Sequence, residues 1–206
     1  LMEIALAGLQ WQTCLVYLDD VIIFSRSFEE HIQRLRGVLT RIQDAGLKLK
    51  PKKCALIKSE VTFLGHLLSA EGVLPNPANV EKLARWEAPR RVRDLRAFLG
   101  LGNYYRRFVK DYSKLVKPLT DLTRKDVSFR WSPECQEAFD GLKKILLGPE
   151  IMAYPTGKGE VILDCDASAV SLGAVLSEVQ GGRERVIAYG SRTLSRAEQN
   201  YCVRSE

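Results

Sequence analysis

The stretch VYLDDVIIF, residues 16 to 24, sets Asp19 and Asp20 side by side in a run otherwise suited to a hydrophobic core. Apolar, aromatic and β-branched residues flank the pair, from Cys14 to Tyr17 and from Val21 to Phe24, and predict two strands with the acids at the tip of a hairpin. Leu18-Asp19-Asp20 lacks the Asn-Gly or Asp-Gly that eases the tightest hairpin turns, so the turn is expected to be strained or held by its neighbours. Two carboxylates about 4 Å apart repel by roughly 4 kcal/mol at an effective dielectric near 20, and a hard divalent cation such as Mg2+ relieves that repulsion with oxygen ligands. The plainer alternative is a surface turn that uses Asp because Asp turns well, and the nonapeptide alone leaves both readings open.

Other residues invite the same question. EVILDCDAS, from residue 160, carries apolar residues up to Asp164 and Asp166, and an acid at a strand terminus makes Asp166 a second candidate metal ligand. Between residues 85 and 117 stand ten arginines and lysines, Arg96, Arg106 and Arg107 among them, interleaved with Tyr104, Tyr105 and Phe108. Guanidinium forks match phosphates and aromatic faces stack on bases, which suits a nucleic-acid surface. The competing reading has the arginines solvating a helix pair whose core the aromatics fill. Gly157-Lys158-Gly159 lacks the first glycine and the Ser or Thr of a phosphate loop and is set aside.

The elements that must position these residues are readable from their ends. In SFEEHIQRLRGVLTRIQDAG, Ser27 and Glu30 form a capping box, Ile32, Leu35, Val38, Leu39 and Ile42 an apolar face, and Gly46 a stop. Residues 47 to 69 alternate enough to suggest short strands broken at Pro51 and Gly65, with their lysines as a solvated face. Asn76-Pro77 starts a helix to about Trp86; a second helix spans RVRDLRAFLGLGNYYRRFV, with Val92, Leu95, Phe98 and Leu99 on one face; a third starts at Ser132-Pro133 and runs to about Leu147. From residue 160, three strands with short connections predict an antiparallel meander, and Ser195 with Glu198 caps a helix that is only beginning.

Composition narrows the classes. The 206 residues are 46% hydrophobic with a net charge of +6, enough for one large or two small cores and permissive of nucleic-acid binding. Five scattered cysteines without C-x-x-C spacing argue against a disulfide framework and a zinc site and for a reducing, cytosolic or nuclear setting. His31 and His66 read as structural. There is no run of transmembrane length and no signal-peptide pattern, so no membrane partner is expected. A chain that opens on Leu1 and closes on Glu206 inside a nascent helix reads as part of a longer one.

Taken in order, these pieces resemble the polymerase polyprotein of gypsy-type long-terminal-repeat retrotransposons and their retroviral relatives, over nearly the whole chain. LME resembles the tail of the motif that shapes the nucleotide pocket, YLDD the reverse-transcriptase signature, and GLKLKPKKC and FLGH the palm motifs that follow, the latter near the primer grip. LRAFLGLGNYYRRF resembles the thumb and FRWSPECQEAFDGLKKIL the connection; DCDASAVSLGAVLSE and IAYGSRTLSRAEQNY resemble the opening of the RNase H domain.

The resemblance implies an α/β (α+β) chain: partial palm (residues 1–74), helical thumb (75–128), connection (129–157) and the first part of an RNase H-like sheet (158–206). It implies that Asp19 and Asp20 are polymerase acids, that Tyr17 lies beside the primer end, and that Gly65, Arg96, Tyr104, Tyr105, Arg106 and Arg107 face nucleic acid. Asp166 matches the first RNase H acid. Glu206 is the candidate for the second, although it falls one residue early after Asn200-Tyr201, which implies either a one-residue deletion or a glutamate beyond the end. In the family the chemistry runs on pairs of Mg2+ (or Mn2+) ions about 3.5 to 4 Å apart. The implied partners are primer-template, RNA-DNA hybrid and, for the parent, dNTPs. Both acid sets are incomplete here, so the chain is expected to be inactive alone unless a dimer or neighbouring frame completes them. The alternatives are a nucleic-acid-binding remnant without catalysis and a non-functional reading frame prone to aggregate.

Overall fold

In the computed structural model, which describes residues 1 to 200, the chain forms two units, one from Leu1 to Leu64 and one from Gly65 onward. The first is built around a hairpin of β1 (Cys14–Tyr17) and β2 (Asp20–Ile23), backed by α2 (Phe28–Asp44) and preceded by the short α1 (Met2–Ala5). Its core is small: Leu6, Cys14, Val38 and Ile42 are buried, with Val16, Val21 and Ile23 packed against them. Burial in this apolar setting raises the Cys14 thiol pKa.

The expected capping box at α2 forms. The Glu30 amide donates to Ser27 Oγ at 3.2 Å, and the Glu30 carboxylate reaches back to the Arg26 amide at 2.8 Å. Of the five residues on its anticipated apolar face, only Val38 and Ile42 are buried, and Leu39 stays 39% exposed. The anticipated strands before residue 60 are absent. That segment holds a 3-10 turn at Pro51–Lys53 with its lysines in solvent, because Pro51 removes a ladder donor and five lysines crowd the stretch. The first unit ends with β3 (Val61–Phe63).

In the second unit, β4 (His66–Leu68) and β5 (Val73–Pro75) pair antiparallel and lead into α3 (Pro77–Ala84). Asn76 Oδ1 accepts the Ala78 amide at 3.0 Å, as the Asn-Pro signal predicts. Then follow α4 (Val92–Tyr104), a 3-10 turn at Arg106–Phe108, α5 (Tyr112–Leu115), α6 (Lys117–Asp121) and α7 (Pro133–Leu147). Leu83, Leu95, Phe98, Leu99, Phe139, Leu142 and Leu146 close the core, with the Phe98 and Phe139 rings 4.5 Å apart. Burying each such side chain contributes about 1.5 to 3 kcal/mol.

The meander is as expected: β6 (Val161–Ala167), β7 (Ser171–Gln180) and β8 (Arg183–Thr193) pair antiparallel in that order. Gly181 and Gly182, both at positive φ, make its two-residue β7–β8 turn. The helical segments and the meander therefore share one unit.

Two helices end sooner than their apolar pattern suggests. α3 stops at Ala84, and Trp86 turns its ring edge-on to Phe98 at 5.9 Å. α4 stops at Tyr104 rather than near Val109, because the next residue, Tyr105, leaves the helix to bury its ring.

Candidate functional site

The hairpin register pairs Tyr17 with Asp20, leaving Leu18 and Asp19 as a two-residue turn. Leu18 takes φ 54, a left-handed conformation that costs a branched side chain about 1 to 2 kcal/mol. The expected strain is therefore present at a position where glycine would relieve it. Its result is an exposed tip: Leu18 is 73% and Tyr17 54% exposed, and both Asp19 and Asp20 face solvent. Val16 and Val21, one step down the ribbon, hold this tip on the core below.

In the second unit, Gly65 takes φ 69, and a Cβ there would lie 2.8 Å from the Tyr104 hydroxyl. The Gly65 carbonyl accepts the Tyr105 hydroxyl at 2.6 Å and the Asn76 amide at 3.0 Å. Beside it, His66 sits among three rings, with centroids 5.3 Å from Tyr104, 5.7 Å from Tyr105 and 5.7 Å from Phe108. Tyr104 keeps 49% of its surface in solvent and offers a ring face.

Tyr105 does not. It is 1% exposed, and its hydroxyl is committed to Gly65 and to the Asn79 amide, which donates at 2.9 Å, so it is a core residue rather than a stacking surface. The arginines after it each reach a strand of the meander. Arg106 donates to the Ser191 carbonyl, and Arg107 donates to the Ile187 carbonyl at 3.2 Å, both on β8. Arg96, exposed on α4, donates to the Thr123 carbonyl at 3.0 Å.

Replacing Arg107 with alanine should accordingly cost about 1.5 to 3 kcal/mol of stability, the value of a hydrogen bond from a charged donor. Urea denaturation measures that cost. Unchanged stability with a shallower salt dependence of hybrid binding would instead mark Arg107 as a phosphate contact.

Asp166, one residue from the end of β6, is exposed and lies directly opposite Gly173 of β7. Glu206 and the helix expected to carry it lie outside the described residues. The capping box before it forms, with the Ser195 amide donating to Glu198 Oε2 at 2.7 Å. Together with the Arg192 guanidinium, those bonds hold the Glu198 carboxyl down at about 2.

One residue that patterning missed is Glu178 on β7. Its carboxylate is 1% exposed and accepts from the Thr156 amide and hydroxyl, the Lys158 and Gly159 amides and the Gln180 side chain. The nearest sequence cue was the set-aside Gly157-Lys158-Gly159, whose amides bind this internal carboxylate and not a phosphate.

Two family models match: reverse transcriptase (RNA-dependent DNA polymerase) over residues 1–68, and an RNase H-like domain found in reverse transcriptase over residues 131–206. The second begins inside the segment that resembled a connection. The chain is 41% identical over 189 residues to the retrovirus-related Pol polyprotein from transposon 297 of Drosophila melanogaster, covering 91% of this chain and 18% of that protein. To the transposon Tf2-3 polyprotein of Schizosaccharomyces pombe it is 35% identical over 188 residues, covering 91% of this chain and 14% of that protein. It thus spans less than a fifth of either relative.

Among solved structures, the foamy viral protease-reverse transcriptase dRH in complex with double-stranded DNA is similar at a TM-score of 0.85 and 25% identity, covering 97% of this chain and 35% of that one. The same viral enzyme in complex with RNA/DNA hybrid is similar at 0.81 and 25%, covering 98% and 27%.

Proposed function

The chain belongs to the Pol polyprotein family of long-terminal-repeat retroelements, within its reverse transcriptase and RNase H-like domains, and from that premise we propose that Asp19 and Asp20 are polymerase acids and Asp166 an RNase H acid. The whole Pol protein would then use dNTPs to synthesise DNA on an RNA template and cleave the RNA of the hybrid. The observation that carries this reading is the hairpin tip, where two carboxylates are held in solvent by a turn that keeps Leu18 left-handed.

Families of this kind depend on divalent metal. Adjacent exposed carboxylates have the hard oxygen chemistry that Mg2+ or Mn2+ takes. Among the described residues no group of three or more His, Cys, Asp or Glu gathers to hold a metal. The pair therefore suits an ion that completes its shell with substrate phosphates and water, as Mg2+ commonly does. When bound, such an ion activates the attacking oxygen and offsets charge on the leaving group. The chain's own part is to present Asp19 and Asp20 at a rigid tip, with Tyr17 beside them against the primer end. In the second unit Tyr104, over Gly65, offers an aromatic face of its own to nucleic acid.

By itself the chain binds primer-template and hybrid without catalysing. The remaining acids come from other parts of Pol or from a second copy. It acts in a reducing cytosolic or nuclear setting, consistent with the unpaired Cys14, Cys54, Cys135 and Cys165.

The test is primer-template affinity with and without Mg2+, for this chain and for the Asp19→Asn/Asp20→Asn variant. Mg2+ should tighten binding by the parent chain about tenfold and leave the variant unmoved. An equal response in both would remove the acids from the site. Robust primer extension by the chain alone would overturn its assignment as a binder only.

A further inference from the structure

Helix α2 carries more apolar surface than its own unit covers. At 3.6 residues per turn, Val38, Ile42, Leu35, Phe28, Leu39 and Ile32 fall within one arc of about 120°. Val38 and Ile42, at one edge of that arc, are buried with Leu6 and Cys14. Towards the other edge Phe28 is 59% and Leu39 39% exposed, and Ile32 and Leu35 are half-buried. Ile32, Leu35 and Leu39, with Arg36 beside them, line an open groove of about 330 Å3 along the outside of the helix.

The uncovered residues have the spacing of a helix-pairing seam. Phe28, Ile32, Leu35 and Leu39 stand four, three and four residues apart, the alternation that keeps a stripe turned towards a second helix. Glu29 and Arg36, seven residues apart, share the rim of this stripe on the side away from the core. Neither has an ion-pair partner among the described residues. Glu30 and Arg34, which point away from the seam, already satisfy each other at 2.6 Å.

We propose that this stripe is a self-association surface, across which a second copy of the chain docks its own α2 antiparallel about a two-fold axis. That register sets Phe28 on Leu39 of the second copy and Ile32 on Leu35, each pair occurring twice. It also brings Glu29 against Arg36 of the other copy on both sides of the axis. Antiparallel helices oppose their macrodipoles, and a two-fold pairing consumes the stripe and closes at two copies. The occupant is this same chain, because the stripe and both members of a complementary charge pair already lie on one helix. None of this depends on how Asp19, Asp20 and Asp166 are read. From Phe28 to Leu39 the seam runs only about 17 Å, so the pair falls short of the roughly 800 Å2 per partner of a stable complex and is a reversible one.

Sedimentation velocity of the whole chain, in reductant and from about 2 to about 200 μM, measures the association. The parent should pass from monomer to dimer and go no further. Glu29→Arg and Arg36→Glu should each weaken the dimer about tenfold, because each turns two attractive pairs into repulsive ones. The double variant Glu29→Arg/Arg36→Glu restores opposite charges and should recover the parent's affinity. An equimolar mixture of the two single variants should do the same, since a mixed pair again sets each charge against its opposite. Circular dichroism checks that every variant keeps its helix content.

A parent that stays monomeric throughout this range would overturn the proposal and leave the stripe to another part of Pol. Association that ignores both single variants, or that continues beyond two copies, would place the contact elsewhere and overturn it as well. Weakening in both single variants without recovery in the double variant and the mixture would mean that the two charges act within one chain, which also rules out the two-fold pairing.

Discussion

Gly65→Ala should destabilise the second unit by about 2 to 3 kcal/mol, because a left-handed backbone costs an L residue about 1 to 2 kcal/mol and the added methyl must also displace Tyr104. Gly65 takes φ 69, and its Cβ would lie 2.8 Å from the Tyr104 hydroxyl and 3.0 Å from Tyr104 Cε1. The ring can swing outward, being half in solvent, but it then leaves His66, against which it packs at 5.3 Å. The backbone cannot relax as easily, since the Gly65 carbonyl is fixed by Tyr105 and Asn76.

Urea denaturation of the parent, the single variant and the Gly65→Ala/Tyr104→Ala double variant resolves the two parts. Removing Tyr104 should recover only the steric share, so the double variant falls short of additivity. A cost below about 0.5 kcal/mol for Gly65→Ala would be an ordinary surface effect and would contradict the left-handed backbone. The same variant should weaken primer-template binding if Tyr104 offers a stacking face, because its ring is the group displaced.

Glu178→Gln should give the second large effect, one with a distinctive pH signature. The bonds from the Thr156 amide and hydroxyl, then from Gln180, hold the Glu178 carboxyl down at about 2, against an ordinary value of 4.5. A group whose folded pKa is depressed contributes stability that is present above the unfolded pKa and lost as pH falls through the folded one. The Glu178 contribution is therefore complete above about pH 4.5 and disappears by about pH 2.

Thermal melting should show Glu178→Gln less stable than the parent at neutral pH, with the gap narrowing across that window. Glu198, held down at about 2 by Arg192 and Ser195, titrates in the same direction, so Glu198→Gln serves as the comparison. The two differ in where order is lost: Glu178→Gln should speed hydrogen exchange at Lys158 and Gly159, whose amides it holds, and Glu198→Gln should not. Equal acid sensitivity in parent and Glu178→Gln would assign the low-pH loss elsewhere.

How much of this was readable in advance follows from the range of the forces involved. Capping is local. Ser27 with Glu30, Asn76 with Pro77, Ser132 with Pro133 and Ser195 with Glu198 each use groups within a few residues; the first three start helices where their residue types predict, and at the fourth the capping bond forms. The meander was legible from its strand composition and short turns, and the hairpin tip from a pair of acids between apolar runs.

Tertiary structure alone decided the fate of residues that local pattern treats alike. Tyr104 and Tyr105 are neighbours of one type, yet one keeps a face in solvent and the other is buried, because the chain leaves α4 between them and Gly65 offers its carbonyl 40 residues away. Arg106 and Arg107 stand out in the sequence only as members of a basic run, and folding alone brings one donor of each to a carbonyl 85 and 80 residues along the chain. Nothing local singles out Glu178 on its strand, and only the approach of residues 156 to 159 supplies the donors that make its burial affordable.

The sequence by itself determined the starts of α2, α3 and α7, the three-strand meander and the setting of Asp19, Asp20 and Asp166 beside apolar runs, because those depend on groups adjacent in the chain. Which polar and aromatic side chains meet solvent, and which are consumed inside, depended on partners that only folding brings within hydrogen-bond reach.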